Sequence, residues 1–273
     1  MELKATRYDV ANGIGTITLS RPERMNAWTG RMHAEYRALL VRADEDVSVR
    51  AIVVTGAGRG FCVGGDSQAL QGHAQRGGYD PGTPKDMAEP GLAGDAVFQA
   101  SFAYHFALRK PIVAAINGPA AGVGLALACF TDLRFAVPGA KLTTAHGKLN
   151  LPAEYGLSWI LPRVMGLTRA NDLLLTSRVF STDEGHALGL INGLFSPEVL
   201  LDSVYDYVER MIATVSPNAL RQTRWQIYRD LHRGAAAAVE DSERLIEEMM
   251  TEQDYAEGVA AFLEKRSPRW GAL

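Results

Sequence analysis

Apolar residues recur along the chain at two spacings, and the switch between them divides it. In residues 15–20, Gly-Thr-Ile-Thr-Leu-Ser, apolar and polar positions alternate with the period of a half-buried strand, and Arg21-Pro22 ends it. Behind Thr29, a residue type that caps helix N-termini, Met32, Tyr36, Leu39, Leu40 and Ala43 return at helical spacing. Residues 51–55 and 112–116 are short, continuous apolar runs, the pattern of strands covered on both faces in a parallel sheet. Residues 67–96 break every periodicity with glycines and prolines, which predicts a long loop acting as a pocket wall or lid, or a plain insertion. A helix is expected over 95–109, short strands over 133–136 and 140–143, and helices over 157–164, 168–176 and 182–189. From Pro197 onward the spacing is helical throughout, over 198–213, 216–231, 235–251 and 253–264. Strand–helix alternation followed by helices alone predicts an α/β core over 1–197 and a helical region over 198–273.

Composition narrows the function class. A hydrophobic fraction of 47% with 22% charged residues is that of an ordinary globular protein. The net charge of −3 argues against a broad cationic face for nucleic acid, while leaving room for a local basic pocket. Two cysteines, Cys62 and Cys129, are too few for a disulfide framework and fit a reducing compartment. The N-terminus shows no signal-peptide pattern, and the strongest apolar stretch, about 119–130, is too short to span a bilayer, so a cytoplasmic protein without membrane partners is expected. The six histidines show no H-x-x-x-H spacing, so no metal is expected.

Each fully apolar run leads into a glycine-containing turn: Gly60-Phe-Cys-Val-Gly-Gly-Asp66 after the first, Gly118-Pro-Ala-Ala-Gly-Val-Gly124 after the second. Main-chain N–H groups in such turns, and at the start of a helix they open, lack internal partners. Two of them aimed at one point form an oxyanion hole. The plainer reading is that the glycines only let helix and strand pack closely. Taken with Arg21-Pro-Glu-Arg-Met-Asn-Ala27, Leu161-Pro-Arg-Val-Met-Gly166, the 170–189 segment and Glu257-Gly-Val-Ala-Ala-Phe-Leu-Glu-Lys-Arg266, all in order, the turns make the sequence resemble the crotonase (enoyl-CoA hydratase/isomerase) superfamily over nearly its whole length.

That resemblance implies a crotonase-like ββα spiral core with a helical C-terminal trimerisation region, assembled as a homotrimer or a dimer of trimers. It implies an acyl-CoA thioester substrate, coenzyme A being part of the substrate and no further cofactor being needed. The matching donor positions are Val63 and Val123; the matching CoA-lining positions are Met25, Ala27, Val63, Gly64, Gly65, Asp66 and Ala121, joined by Phe262 and Lys265 near the C-terminus. Trp28, next to Ala27, either walls the acyl pocket or fills the core.

An enolate mechanism also needs a group that moves protons beside the thioester, and a partly desolvated carboxylate suits that work. Two-carboxylate hydratases of the family carry one glutamate where Ala126 stands here and a second near His146. Glu154, in Pro152-Ala-Glu-Tyr-Gly-Leu-Ser-Trp159, matches the acidic residue of other branches, including some isomerases and a dehalogenase. A loop glutamate is otherwise a solvated charge. His146 is a second candidate proton carrier, imidazole titrating near pH ~6.5, or a structural histidine. One carboxylate suffices to shuttle a proton between two carbons; hydration asks for more. Cys62 has no evident basic partner and is read as a buried thiol. The competing readings are a non-catalytic acyl-CoA binder and an NAD-dependent dehydrogenase, the latter resting on Gly56-Ala-Gly-Arg-Gly60, where Phe61-Cys-Val follows instead of a fingerprint helix.

Overall fold

The computed structural model describes residues 2–78, 82–90 and 98–271. Strand β1 (Thr6–Ala11) folds back on β2 (Ile14–Leu19) through Asn12 and Gly13, both at positive φ (51° and 77°), the tight-turn chemistry that suits a hairpin. Helix α1 (Gly30–Glu45) begins as expected, with the Thr29 side chain accepting from Met32 N–H. Next come β3 (Ala51–Gly56), α2 (Ser67–Arg76), β4 (Ile112–Ile116), β5 (Ala120–Ala121), α3 (Val123–Cys129), β6 (Leu133–Ala136) and β7 (Lys141–Thr143). Helices α4 (Leu157–Met165) and α5 (Leu167–Thr176), strand β8 (Phe180–Ser181), helix α6 (Thr182–Ala187) and strand β9 (Gly193–Leu194) complete the strand-bearing part. The chain ends in α7 (Leu200–Thr214), α8 (Pro217–Asp230), α9 (Ala235–Met249) and α10 (Gln253–Glu264).

Two sheets result. The larger has the order β1-β2-β3-β4-β6-β9, parallel from β2 onward, and the smaller the order β5-β7-β8. Successive windings give one strand to each sheet before a helix follows: β4 and β5 precede α3, β6 and β7 precede α4. An isolated bridge from Cys62 to Ala120 gives the preceding winding the same form. This is a ββα spiral.

The central strands are apolar on both sides because both sides are covered. Ile52, Val54, Ile112, Ala114 and Ile116 pack with Met32, Tyr36, Leu39 and Leu40 of α1. The intervening positions Ala51, Val53, Val113 and Ala115 join a second cluster with Leu200, Val204, Val208 and Ile212 of α7. Burial therefore continues across residue 197 into the helical region. Farther along, α8 is tied to the sheet by the buried Arg224, which donates to the Asp132 carboxylate (2.6 Å) and to the Leu108 carbonyl (2.6 Å). The other Asp132 oxygen accepts from Tyr228.

Two sequence expectations need correction. The 67–96 segment does not begin as a loop: Asp66 caps α2 by accepting from Gln68 N–H, and Gly77 ends it in the left-handed region (φ 64°). None of its side chains is buried, so no apolar stripe marked it in the sequence. The helix expected over 95–109 is also absent as such. Asp95, Ala96 and Val97 lie outside the described residues, and Phe102 at φ 62° stops any helix from running through to the 3-10 segment at Ala103–Ala107.

Candidate active site

The two glycine turns lie against each other at the ends of β3 and β4. Asn117 staples them: its amide donates to the carbonyls of Gly56 and Gly58 (both 2.8 Å) and accepts from Gly56 N–H. Asn26, fully buried, does the same from the other side, donating to Ala57 and Gly60 carbonyls (2.9 and 2.7 Å). The main chains then bond directly. Phe61 and Cys62 N–H both donate to the Pro119 carbonyl (3.2 Å), and Ala121 N–H donates to the Cys62 carbonyl (3.0 Å). The approach is so close that a β-carbon at Gly124 would overlap the Cys62 carbonyl oxygen. Gly122 sits at φ 47° and ψ −119°, which only a residue without a β-carbon adopts without strain.

That turn opens α3. Val123 is the first helical residue, so its amide has no intrahelical acceptor, and among the described residues no carbonyl or side chain takes its place. Val63 is different. Its N–H donates to the Met25 carbonyl at 3.3 Å, so the sequence-expected donor is already engaged. The reason lies in how 63–66 runs beside 25–28: Trp28 N–H donates to the Gly64 carbonyl (2.7 Å) and Asp66 N–H to the Trp28 carbonyl (3.0 Å). Across a trans peptide the N–H points away from the preceding carbonyl. With the Gly64 carbonyl facing Trp28, the Gly65 N–H faces the opposite side, and it has no acceptor among the described residues. Gly65, expected as a CoA-lining residue, is thus the open amide of the first turn.

Glu154 reaches this place from a third segment. It starts a 3-10 turn (Glu154–Gly156) in which Tyr155 and Gly156 both take positive φ. One carboxylate oxygen lies 3.5 Å from where a β-carbon of Gly122 would be, and Gly64 Cα is 4.0 Å from the same point. Glu154, Gly64 and Gly122 are therefore brought together. The half-buried carboxyl titrates above its ordinary value: desolvation raises it, and the neighbouring His146 imidazole pulls in the other direction. A solvated surface glutamate would show neither effect. His146 is buried, its N–H donates to the Thr144 carbonyl (2.7 Å), and its Nδ1 has no partner among the described residues. Ala126 is fully buried within α3.

The remaining predicted residues divide. Met25 and Ala27 belong to the segment paired with 63–66, and Ala121 to the contact between turns. Asp66 is 4% exposed and its carboxylate is spent on Arg21 (3.0 Å), Arg24 (3.4 Å) and the cap of α2. Burial opposes its ionisation, but the Gln68 N–H and Arg21 hydrogen bonds and the charges of Arg21 and Arg24 outweigh that and hold it below its ordinary value. Phe262 and Lys265 are exposed on α10, and nothing within one chain joins them to the turns. Trp28 fills the core, edge-on to Tyr36 and Phe102 (both 5.7 Å). Burial pushes the Cys62 thiol up to about 12, which removes it as a nucleophile at neutral pH. No helix opens at Gly60, since α2 starts only at Ser67, so the dinucleotide fingerprint geometry is absent. Among the described residues no group of three or more His, Cys, Asp or Glu could hold a metal ion, and no helix is long and apolar enough to cross a membrane.

Sequence reasoning missed one element. A cavity of about 330 Å³ opens beside Tyr155 and Gly156, walled by Phe106, Phe130, Trp159 and His232. Its walls come from separated segments, and no local pattern announces it.

A spiral of ββα windings whose facing turns leave open amides defines the crotonase fold, and the comparison with solved structures agrees. The enoyl-CoA hydratase of Polaromonas sp. JS666 superposes with a TM-score of 0.84 at 26% identity, over 98% of this chain and 100% of that one. The chain belongs to the enoyl-CoA hydratase/isomerase family, whose profile matches residues 9–272. It is 34% identical to the 1,2-epoxyphenylacetyl-CoA isomerase of Escherichia coli K12, over 96% of both chains. It is also 34% identical to echA12 of Mycobacterium tuberculosis, named a probable enoyl-CoA hydratase, over 93% of this chain and 88% of that one. The family implies an acyl-CoA substrate; the relatives' names divide between hydratase and isomerase.

Proposed function

We propose that this chain is an enoyl-CoA isomerase that moves a double bond along an acyl thioester, with Glu154 as its single proton carrier. The thioester oxygen lies between Gly65 N–H and Val123 N–H. Glu154 takes a proton from C2 of a 3-enoyl-CoA; the C–H electrons flow through the carbonyl onto its oxygen, where the two amides hold the charge. The same carboxyl then returns its proton to C4, and the double bond rests between C2 and C3. No water is consumed, and no second acid is needed.

The observation that carries this reading is the Glu154 carboxylate oxygen beside Gly122, at the mouth of the helix that Val123 opens. Its raised pKa suits a group that must both accept and release a carbon-bound proton. Hydration would need a further acid, and the two positions that carry glutamates in two-carboxylate hydratases hold Ala126 and His146. His146 acts through Glu154, lowering its pKa and keeping it ionised. Around the reacting centre, Met25, Ala27, Gly64 and Ala121 form the main-chain wall along which the CoA arm lies, and the ion-paired Asp66 fixes that wall. Phe262 and Lys265 meet the CoA of a neighbouring subunit in a trimer or a dimer of trimers.

The test is Glu154→Gln assayed on a 3-enoyl-CoA by absorbance of the conjugated product. Turnover falls at least 10²-fold, while the dissociation constant for a saturated acyl-CoA stays within about threefold. Unchanged turnover would remove Glu154 from the chemistry. A wild-type protein that binds acyl-CoA and turns over no enoyl-CoA would be the non-catalytic binder instead.

A further inference from the structure

We infer that the acyl group this site takes is ring-bearing, a phenyl or comparable planar ring set one or two carbons beyond the reacting ones, rather than a linear chain. The inference rests on the isomerase reading for where the thioester lies, and on the cavity beside Tyr155 for the rest.

Three features of that cavity argue for a ring. Its position is the first: its wall includes Tyr155 and Gly156, which directly follow Glu154 in the chain, so on the isomerase reading the acyl group beyond the carboxylate is directed toward it. Its size is the second. An apolar cavity of about 150 Å³ holds one benzene, and about 330 Å³ holds a phenyl ring together with the carbons that attach it. The third is the lining. Phe130 and Trp159 lie nearly parallel (15° between planes, centroids 6.4 Å apart), and His232 also stacks on Trp159 (11°, 5.6 Å), with the Arg163 guanidinium over the same ring (4.2 Å). Phe106 is held by Tyr228 stacked on it at 3.8 Å, and Phe130 is 5.3 Å from Phe106. Such rings are rigid and clamped by their neighbours. They offer faces and edges to another ring, whose quadrupole they complement, and they cannot mould round a flexible chain as methionines would. A linear acyl group entering here also gives up more rotational freedom than a ring does. The His232 imidazole, brought in from the end of α8, is the wall's polar edge.

Two measurements separate this inference from the reading beneath it. Calorimetric binding of 5-phenylpentanoyl-CoA against octanoyl-CoA, neither of which can isomerise, reports the pocket alone. The expected result is about tenfold tighter binding of the ring, equivalent to about 1.4 kcal/mol. In Trp159→Leu and Phe106→Leu, each checked for an unchanged melting profile, the preference falls to about twofold. Turnover of 5-phenylpent-3-enoyl-CoA against 3-octenoyl-CoA then reports the site as a whole, and kcat/KM is expected to favour the ring about tenfold. Equal or tighter binding of octanoyl-CoA overturns the inference, and linear turnover alongside it leaves the isomerase reading intact. A preference that survives in both leucine variants overturns the assignment of the pocket. Ring-selective binding with no turnover of either enoyl-CoA sinks the isomerase reading and leaves the pocket's selectivity standing.

Discussion

The open amide of Val123 can be deleted without touching the helix behind it, and Val123→Pro is the means. Proline lacks the N–H, yet it is well tolerated at the first position of a helix, where that group has no intrahelical use. The residue before a proline must avoid the α region, and Gly122, at φ 47° and ψ −119°, occupies the mirror image of the extended region that proline's neighbour prefers. An achiral residue makes the two equivalent. Val123 is 4% exposed, and proline of similar size loses few packing contacts, so the stability cost stays below about 1.5 kcal/mol. Loss of one of two oxyanion donors costs about 3–4 kcal/mol in the transition state, a fall of roughly 10²–10³ in kcat. KM changes little, because the bond tightens only as charge develops. The assay is steady-state isomerisation alongside a thermal melt and a binding isotherm for a saturated acyl-CoA. A variant that melts normally and keeps kcat within about threefold of wild type would show that the oxygen is held elsewhere.

His146→Phe removes the imidazole that lowers the Glu154 pKa, so the acid limb of the kcat/KM profile moves to higher pH; an unmoved limb would separate the two residues. Burial pushes His33 down to about 4 and His105 to about 3, and both stay neutral in the folded state while the unfolded chain protonates near 6.5. Stability therefore falls as pH drops from about 6.5 to about 3, the His33 part of the loss being complete near 4 and worth about 3 kcal/mol, readable in urea midpoints taken across that range. Arg224→Met leaves the Asp132 carboxylate without its buried partner and frees α8, and unfolding should become easier by about 3–5 kcal/mol. Cys62→Ala should keep kcat unchanged, and the native protein should resist thiol alkylation at pH 7, since the thiol is buried and protonated.

Burial on both faces made β3 and β4 readable, because each residue in those strands had to be apolar. The same logic hid β1 and α2. In β1 only Thr6 is buried, an edge strand whose Arg7, Asp9 and Val10 show no clean alternation, and the Asn12-Gly13 turn was its one strong signal. Helix α2 buries no side chain and is fixed by its ends, Asp66 and Gly77. The site divided in the same manner. Glu154 could be found through its resemblance to acidic residues of other branches, and its matching Leu-Pro-Arg context carried the alignment. The open amide of the first turn could not be fixed, since a shift of two residues along 63–65 changes no side-chain pattern. What separates Val63 from Gly65 is the pairing of 64 and 66 with Trp28, a contact between distant segments. The aromatic cavity was still less accessible, because Phe106, Phe130, Trp159 and His232 meet only once the windings stack.

The amides and the carboxylate are mounted independently: the first on two mutually bonded turns, the second on a short 3-10 segment ahead of α4. A descendant of this chain can therefore relocate its acid, or surrender it, without disturbing the electrophile's cradle. The cradle consists of groups common to every amino acid except proline, and it endures through side-chain drift at 65 and 123. The glycines at 122, held at positive φ, and at 124, where a β-carbon would meet the Cys62 carbonyl, hold their identity. On the proposed reading, reaction type is an interchangeable part of this architecture, whereas charge stabilisation belongs to the frame.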